Sequence, residues 1–285
     1  METFNVTLIK PDGYLHALAL SEAAEYVHRN LERCGHRSTL TRNTITPGAR
    51  NIVFCAHLLA TMDEVERLPA DTIIFNGEQL HNRRWMEFNP RYKAALERFY
   101  VWDYAIKNLP EIPHRNTFFI PFLFCPDLVR AHIPRTPGDT LYFYGAMTER
   151  RTALIEAIRK AGVPVDVLTD LYGDERDRRA FTAWAVLNLR VFDTGTTFEP
   201  IRCFYALTHG IPVITEPAPS DPTFDFYKDW VFAVDGDLAA GIAALYRARD
   251  TFARDAQEKV DAFRATDATA SFAEAVEEYL SHLRA

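Results

Sequence analysis

One stretch, residues 198–216 (FEPIRCFYALTHGIPVITE), gathers several of the side chains best able to do chemistry in this chain. Glu199-Pro200 opens a helix, His209-Gly210 closes it, and the apolar run 211–215 reads as a strand. A carboxylate at a helix N-terminus, beside the next strand, can accept hydrogen bonds from sugar or ribose hydroxyls. Arg202 stands one turn further on, so Glu199 and Arg202 can meet hydroxyls and phosphate respectively. The same two residues also read as an i,i+3 surface pair. Tyr205 can pack a base or sugar, or belong to the core. Glu216 ends the stretch, either as a cleft carboxylate or as the first residue of the loop that continues PAPSDP.

Three further places earlier in the same half carry compatible chemistry. Gly145 ends the run TLYFYG and is followed by AMTERR. A glycine between a strand and a helix lets backbone N–H groups approach a diphosphate, and Arg150 and Arg151 can then neutralise charge. A plain strand-turn-helix with Thr148 as N-cap fits the same letters. Tyr172-Gly173 follows a strand and starts a helix, where either a base contact or a glycine turn with dipole-favoured acids fits. Asn188 interrupts AVLNLRV, and a buried asparagine must find partners in a neighbouring turn or in a ligand.

In the first half the polar groups at strand ends are His57 (NIVFCAH), Glu78 (after TIIFNG) and Asp103 (after YVW). Each has a side chain that can serve as general base toward an acceptor hydroxyl, and each can equally be structural. Lys10-Pro11-Asp12-Gly13 breaks the first strand, without the spacing of a phosphate-binding Walker loop. No zinc-type spacing of Cys and His occurs. Asp235-Gly236-Asp237 reads as a turn before a helix, so no metal ligands and no cofactor are expected.

The elements that must position these groups alternate. Strands are expected at 4–9, 37–41, 51–57, 72–76, 100–104 and 117–122, with helices at 16–34 and 91–98. The short apolar runs suit parallel strands covered on both faces. Residues 125–139, with three prolines and a glycine, form the best linker. Beyond it, strands at 140–144, 163–168, 186–191, 211–215 and 231–234 alternate with helices at 149–161, 174–183, 200–209 and 238–247. A tail helix covers 271–283. This is an α/β architecture of two Rossmann-like domains facing across a cleft: 1–125, 140–265, and a C-terminal helix within 266–285.

The 285 residues, 48% hydrophobic, suffice for two cores. A net charge of −7 without a basic block argues against a nucleic-acid partner. The four cysteines, Cys34, Cys55, Cys125 and Cys203, form no CxxC pair and read as reduced thiols. No apolar run reaches the ~20 residues of a membrane span, and the N-terminus lacks a leader pattern, so a cytoplasmic protein is expected.

The second half resembles the C-terminal domain of group-1-type GT-B glycosyltransferases. The likeness rests on Tyr142-Phe143-Tyr144-Gly145 followed by Arg150-Arg151, on the strand around Asn188, and on Phe198-Glu199-Pro200 leading to ALTHGIPV. It implies metal-independent transfer of a sugar from a nucleotide-diphosphate donor, held by the second half, to a hydroxyl of a glycan or small molecule held by the first. Glu199 then stands for the first of the family's two carboxylates. The second is missing, because Tyr205 occupies the position five before Gly210. A sugar-nucleotide epimerase or hydrolase on the same fold, or a non-catalytic binding subunit, are the alternatives.

Overall fold

The computed structural model describes residues 1–81, 89–112, 116–193 and 197–284. The chain divides into two units, Met1–Leu128 with Asp267–Ala285, and Val129–Thr266. The passage after Leu128 lies within the proline-bearing stretch 125–139, and the C-terminal segment belongs to the first unit.

Among the described residues, the first unit has six parallel strands: β1 (Thr3–Leu8), β2 (Arg37–Arg42), β3 (Arg50–Phe54), β4 (Ile73–Asn76), β5 (Tyr100–Asp103) and β6 (Thr117–Phe119). Their order is β2-β1-β3-β4-β5-β6. The chain runs outward from β1 to β2 and returns past β1 to β3, so a switch point lies between β1 and β3. All four residues of β4 and of β5 are buried, as expected of parallel strands covered on both faces.

The single helix expected at 16–34 is two pieces, a 3-10 turn Leu15–Leu20 and the α-helix Ser21–Arg33. Leu20, at φ −101 and ψ 7, breaks the helical path. Its side chain seats on Gly77, where an added methyl would lie 2.9 Å from Leu20 Cδ1. Strand β6 also stops earlier than expected, since the carbonyl of Pro121 accepts a hydrogen bond from the Tyr26 hydroxyl. The helix Thr269–His282 joins this unit through Phe272, edge-on to Tyr26 and Trp102 at 5.5 and 6.1 Å, and Tyr279 against Tyr100.

The second unit carries β7 (Leu141–Tyr144), β8 (Val165–Leu168), β9 (Ala185–Asn188), β10 (Val213–Thr215) and β11 (Phe232–Ala233), all parallel, in the order β11-β10-β9-β7-β8. The switch point here lies between β7 and β9. Leu141, Phe143, Ile155, Ile158, Leu187 and Ile214 centre its core. β9 ends at Asn188, earlier than the sequence suggests, because the carbonyls of Leu189 and Arg190 turn to accept from Arg151. The helix Arg249–Arg264 escapes the sequence reading. Its buried Phe252, Ala256, Val260 and Phe263 form a stripe at steps of four and three, diluted by charge on every other face.

Candidate functional site

In the second unit, polar side chains collect at the C-terminal ends of β7, β9 and β10. The centre is Arg202, on the first turns of the helix Pro200–Thr208. Its Nε donates to the Tyr144 carbonyl at 2.8 Å and its Nη1 to Asn188 Oδ1 at 2.5 Å. In return, the Tyr144 hydroxyl donates to the Arg202 carbonyl at 2.9 Å. The guanidinium lies over the Phe143 ring, 5.4 Å from its centroid. Arg202 Nη2 has no hydrogen-bond partner among the described residues and lies against Gly145, where a Cβ would be 2.8 Å away. Gly145 has φ +141, a conformation that side chains rarely adopt. Asn188 is oriented from behind, since its Nδ2 donates to Thr215 Oγ1 at 3.2 Å. The structure thus brings Gly145, Asn188 and Arg202 into one cluster.

Arg150, Arg151 and Glu216 flank it. Glu216 is buried and accepts from Arg150 Nη1 at 3.0 Å, from Arg150 Nη2, and from the Arg190 amide at 2.8 Å. Burial alone would raise its pKa, but Arg150 and Arg190 outweigh it and hold the carboxyl below its ordinary value. Arg150 Nε also donates to Asp193 at 2.5 Å. Arg151 is almost fully buried, and its donors go to the carbonyls of Leu189, Arg190 and Ala146. Burial, with Arg202 nearby, lowers its pKa to about 9. It ties the end of β9 to the loop after β7.

Tyr205 is buried, and its hydroxyl donates to Asp177 Oδ2 at 2.6 Å. Arg176 binds the other Asp177 oxygen at 2.6 Å, its guanidinium facing the Tyr205 and Tyr144 rings at 4.8 and 5.4 Å. Sequence reasoning missed Asp177, which lies among charged residues with no sign of being enclosed. Tyr172 is the N-cap of the helix Gly173–Ala180 and Gly173 its first residue, at φ +56. Glu199 is the N-cap of the Arg202 helix, half-exposed, and its side chain does not cap that helix. The segment before it is pinned by the buried Asp221, which accepts from the Phe198 amide at 2.7 Å.

In the first unit, the three candidate bases follow or end the neighbouring strands β3, β4 and β5. His57 lies in the 3-10 turn Ala56–Leu58, with Nδ1 3.5 Å from Glu78 Oε1. Burial lowers the His57 pKa to about 4, so the ring is neutral at pH 7. Glu78 keeps 31% of its side chain exposed. Asp103 is fully buried, and burial raises its pKa to about 7 against the opposing hydrogen bonds of Asn76 and Asn108. Asn76 also donates to the Glu78 carbonyl and accepts from the Glu78 amide, each at 3.0 Å. Neither Asn108 nor Tyr92, both part of this network, carries a sequence signal.

Among the described residues, no group of three or more His, Cys, Asp or Glu side chains is arranged to hold a metal ion. No described helix is long and apolar enough to cross a membrane.

No protein-family model matches the chain. Two curated relatives are uncharacterized proteins of Acanthamoeba polyphaga mimivirus. One is 22% identical over 178 residues, covering 61% of this chain and 57% of the relative. The other is 26% identical over 135 residues, covering 47% of each. The chain therefore spans about half the length of these relatives. Among solved structures, AviGT4, a glycosyltransferase of avilamycin A biosynthesis, matches with a TM-score of 0.60 and 14% identity, over 100% of this chain and 98% of that one. A point mutant of T4 phage BGT in complex with UDP-glucose matches with 0.58 and 11%, over 98% and 99%. Sucrose-phosphate synthase from Thermosynechococcus elongatus matches with 0.55 and 13%, over 100% of both chains. The chain has the GT-B glycosyltransferase fold, with two Rossmann-like domains.

Proposed function

We propose that this chain is a glycosyltransferase that moves a sugar from a nucleotide-diphosphate donor, bound by the second unit, to a hydroxyl acceptor bound by the first. The observation that carries this reading is the Arg202 cluster. A guanidinium sits at the switch point between β7 and β9, oriented by Asn188 and Tyr144, with Nη2 beside Gly145. The exposed residues Gly145–Met147 lead from there into the N-terminus of the helix Glu149–Lys160. A positive side chain, exposed backbone and a helix N-terminus together suit a diphosphate.

In the proposed step, an acceptor hydroxyl gives its proton to Glu78 while its oxygen bonds to the anomeric carbon. The bond from that carbon to the diphosphate breaks, and its electron pair leaves on the diphosphate oxygen. Arg202 and the helix N-terminus stabilise that charge, so the step runs without a metal ion. Glu199, at the start of the helix that carries Arg202, takes donor hydroxyls. The donor class tried first is UDP-sugars, because the T4 phage BGT neighbour was solved with UDP-glucose. A glycan or small hydroxylated molecule is the acceptor we favour over nucleic acid, given the net charge of −7. The buried, unpaired Cys55, Cys125 and Cys203 suit a reducing cytoplasm.

The test is a thermal-shift screen with UDP-, GDP-, dTDP- and CMP-sugars, followed by transfer assays on glycoside, small-molecule and duplex DNA acceptors. A donor at 100 times its dissociation constant should stabilise the protein by ~2.7 kcal/mol. No shift with any nucleotide sugar would sink the reading. A shift without transfer, but with release of free sugar, would replace it with hydrolysis.

A further inference from the structure

The buried carboxylate of Asp103 faces two asparagine amides and favours one orientation of each. Asp103 Oδ2 accepts from Asn76 Nδ2 at 2.6 Å. Oδ1 accepts from Asn108 Nδ2 at 3.1 Å and from the Ala105 amide at 2.8 Å. Above about pH 7 the Asp103 carboxyl is ionised and only accepts, so there both asparagines turn nitrogen toward it. Their oxygens are then directed elsewhere. Asn76 Oδ1 accepts from the Glu78 amide at 3.0 Å and from the Tyr92 hydroxyl. Asn108 Oδ1 accepts from the Leu80 amide at 3.1 Å. Both Nδ2 groups also donate to the Glu78 carbonyl, at 3.0 and 2.9 Å. The backbone of Glu78 is thereby held at both its N–H and its C=O.

An asparagine amide has nearly the same shape in its two flipped orientations, so packing alone does not choose between them. Asp103 adds its two acceptor oxygens to the Glu78 and Leu80 backbone groups that select the same orientation. Fully enclosed, it has no exposed surface to offer an acceptor. We infer that Asp103 is a positioning residue, which fixes Glu78 through the amide orientations of Asn76 and Asn108. The inference rests on the reading of Glu78 as the acceptor base, and it removes Asp103 from the residues that touch substrate.

Asp103→Asn tests it, because the replacement keeps shape and replaces one acceptor oxygen by a donor. Asn76 then meets a donor where it had an acceptor and flips, setting its own nitrogen against the Glu78 amide. Residue-resolved amide hydrogen exchange reads this without any substrate. The Glu78 amide should exchange about 10-fold faster in the folded variant, the size expected for loss of one net hydrogen bond, while β1 and β3 keep their protection. Unchanged exchange at Glu78 would overturn the inference, and so would a uniform rise across the first unit, which signals plain destabilisation. With UDP-glucose, or whichever donor the thermal-shift screen identifies, turnover should fall with donor KM unchanged. Glu78→Gln should then cost less in the Asp103→Asn background than alone. Full additivity of the two would also overturn it. If the wild-type chain transfers no sugar while the local exchange effect is present, the transferase reading fails and the positioning of Glu78 stands.

Discussion

Arg202 lies so close over Gly145 that a methyl group on the glycine would sit 2.8 Å from Nη2. The glycine also holds φ +141. Two costs therefore meet in Gly145→Ala, a strained backbone and a displaced guanidinium. We expect a loss of ~1–3 kcal/mol in stability by urea denaturation, the usual worth of such strain. Nucleotide-sugar affinity should fall with it. An alanine variant of wild-type stability and affinity would mean that Arg202 moves aside freely.

Arg202 itself is tested by two substitutions. Arg202→Ala should weaken nucleotide-sugar binding by ~1.5–3 kcal/mol, the range for hydrogen bonds to a charged group. Arg202→Lys should recover little of this. Arginine reaches the Tyr144 carbonyl and Asn188 from two separate nitrogens of a rigid fork and keeps a third for a phosphate, a spread that the three donors on lysine's single nitrogen do not reproduce. Calorimetric titration separates the outcomes. Equal affinity in wild type and a folded alanine variant would move the diphosphate site elsewhere.

Glu216 is a clamp on Arg150 more than a ligand in its own right, since both its oxygens are taken by Arg150 and Arg190. Glu216→Gln keeps an acceptor for the Arg190 amide and loses the paired charge. The expected result is a drop of ~1–3 kcal/mol in unfolding free energy, as for a buried acceptor lost from a charged partner. Stability equal to wild type would show that Asp193 alone suffices to hold Arg150.

His209 predicts a pH dependence. Its ring stacks on Phe181 at 4.4 Å, and its Nε2 accepts from the Arg130 amide at 3.1 Å, which leaves Nδ1–H to donate to the Tyr205 carbonyl at 2.8 Å. Only the neutral ring can make both bonds. Burial lowers its pKa from 6.5 to about 4. The unfolded chain therefore takes up a proton near pH 6.5, and the folded chain only near pH 4. Stability from this group is fully present above pH 6.5 and is lost as pH falls toward 4. Urea denaturation at pH 7.5 and 5 should show a smaller acid loss in His209→Gln than in wild type. An identical acid slope in both proteins would refute the assignment.

Much of the fold was legible because parallel strands announce themselves. The runs around Ile52–Phe54 and Ile73–Phe75 are apolar without alternation, which only a doubly covered strand requires. The helix Arg249–Arg264 was not legible, since ten of its sixteen residues are polar or charged and hide the stripe Phe252–Ala256–Val260–Phe263. Within the site, the inward turn of Arg151 had a signal. It stands four and seven residues before Ile155 and Ile158, on the face that periodicity already sends inward. The enclosure of Asp103 had none. Its partners Asn76 and Asn108 are brought to it by the pairing of β4 with β5 and by a turn, neither of which a strand-end aspartate reveals. Likewise Tyr205 gave no hint of Asp177, which lies on a different helix.

Glu78 carries the sharpest prediction. It follows β4, its backbone is held by Asn76 and Asn108, and its carboxylate faces the neutral His57 ring at 3.5 Å while retaining exposure. A base must be fixed and reachable, and among the three strand-end candidates Glu78 meets both conditions most fully. Replacing a positioned base costs ~10²–10⁴-fold in rate. Glu78→Gln should therefore lose turnover by that order while the thermal shift with nucleotide sugar stays at the wild-type value. His57→Asn should lose less, because a ring that stays neutral to about pH 4 can orient Glu78 but carries no charge to it. Initial rates with saturating donor and varied acceptor distinguish the two. Near-full turnover in Glu78→Gln would place the base elsewhere, or point to a transfer that retains configuration and needs no such base.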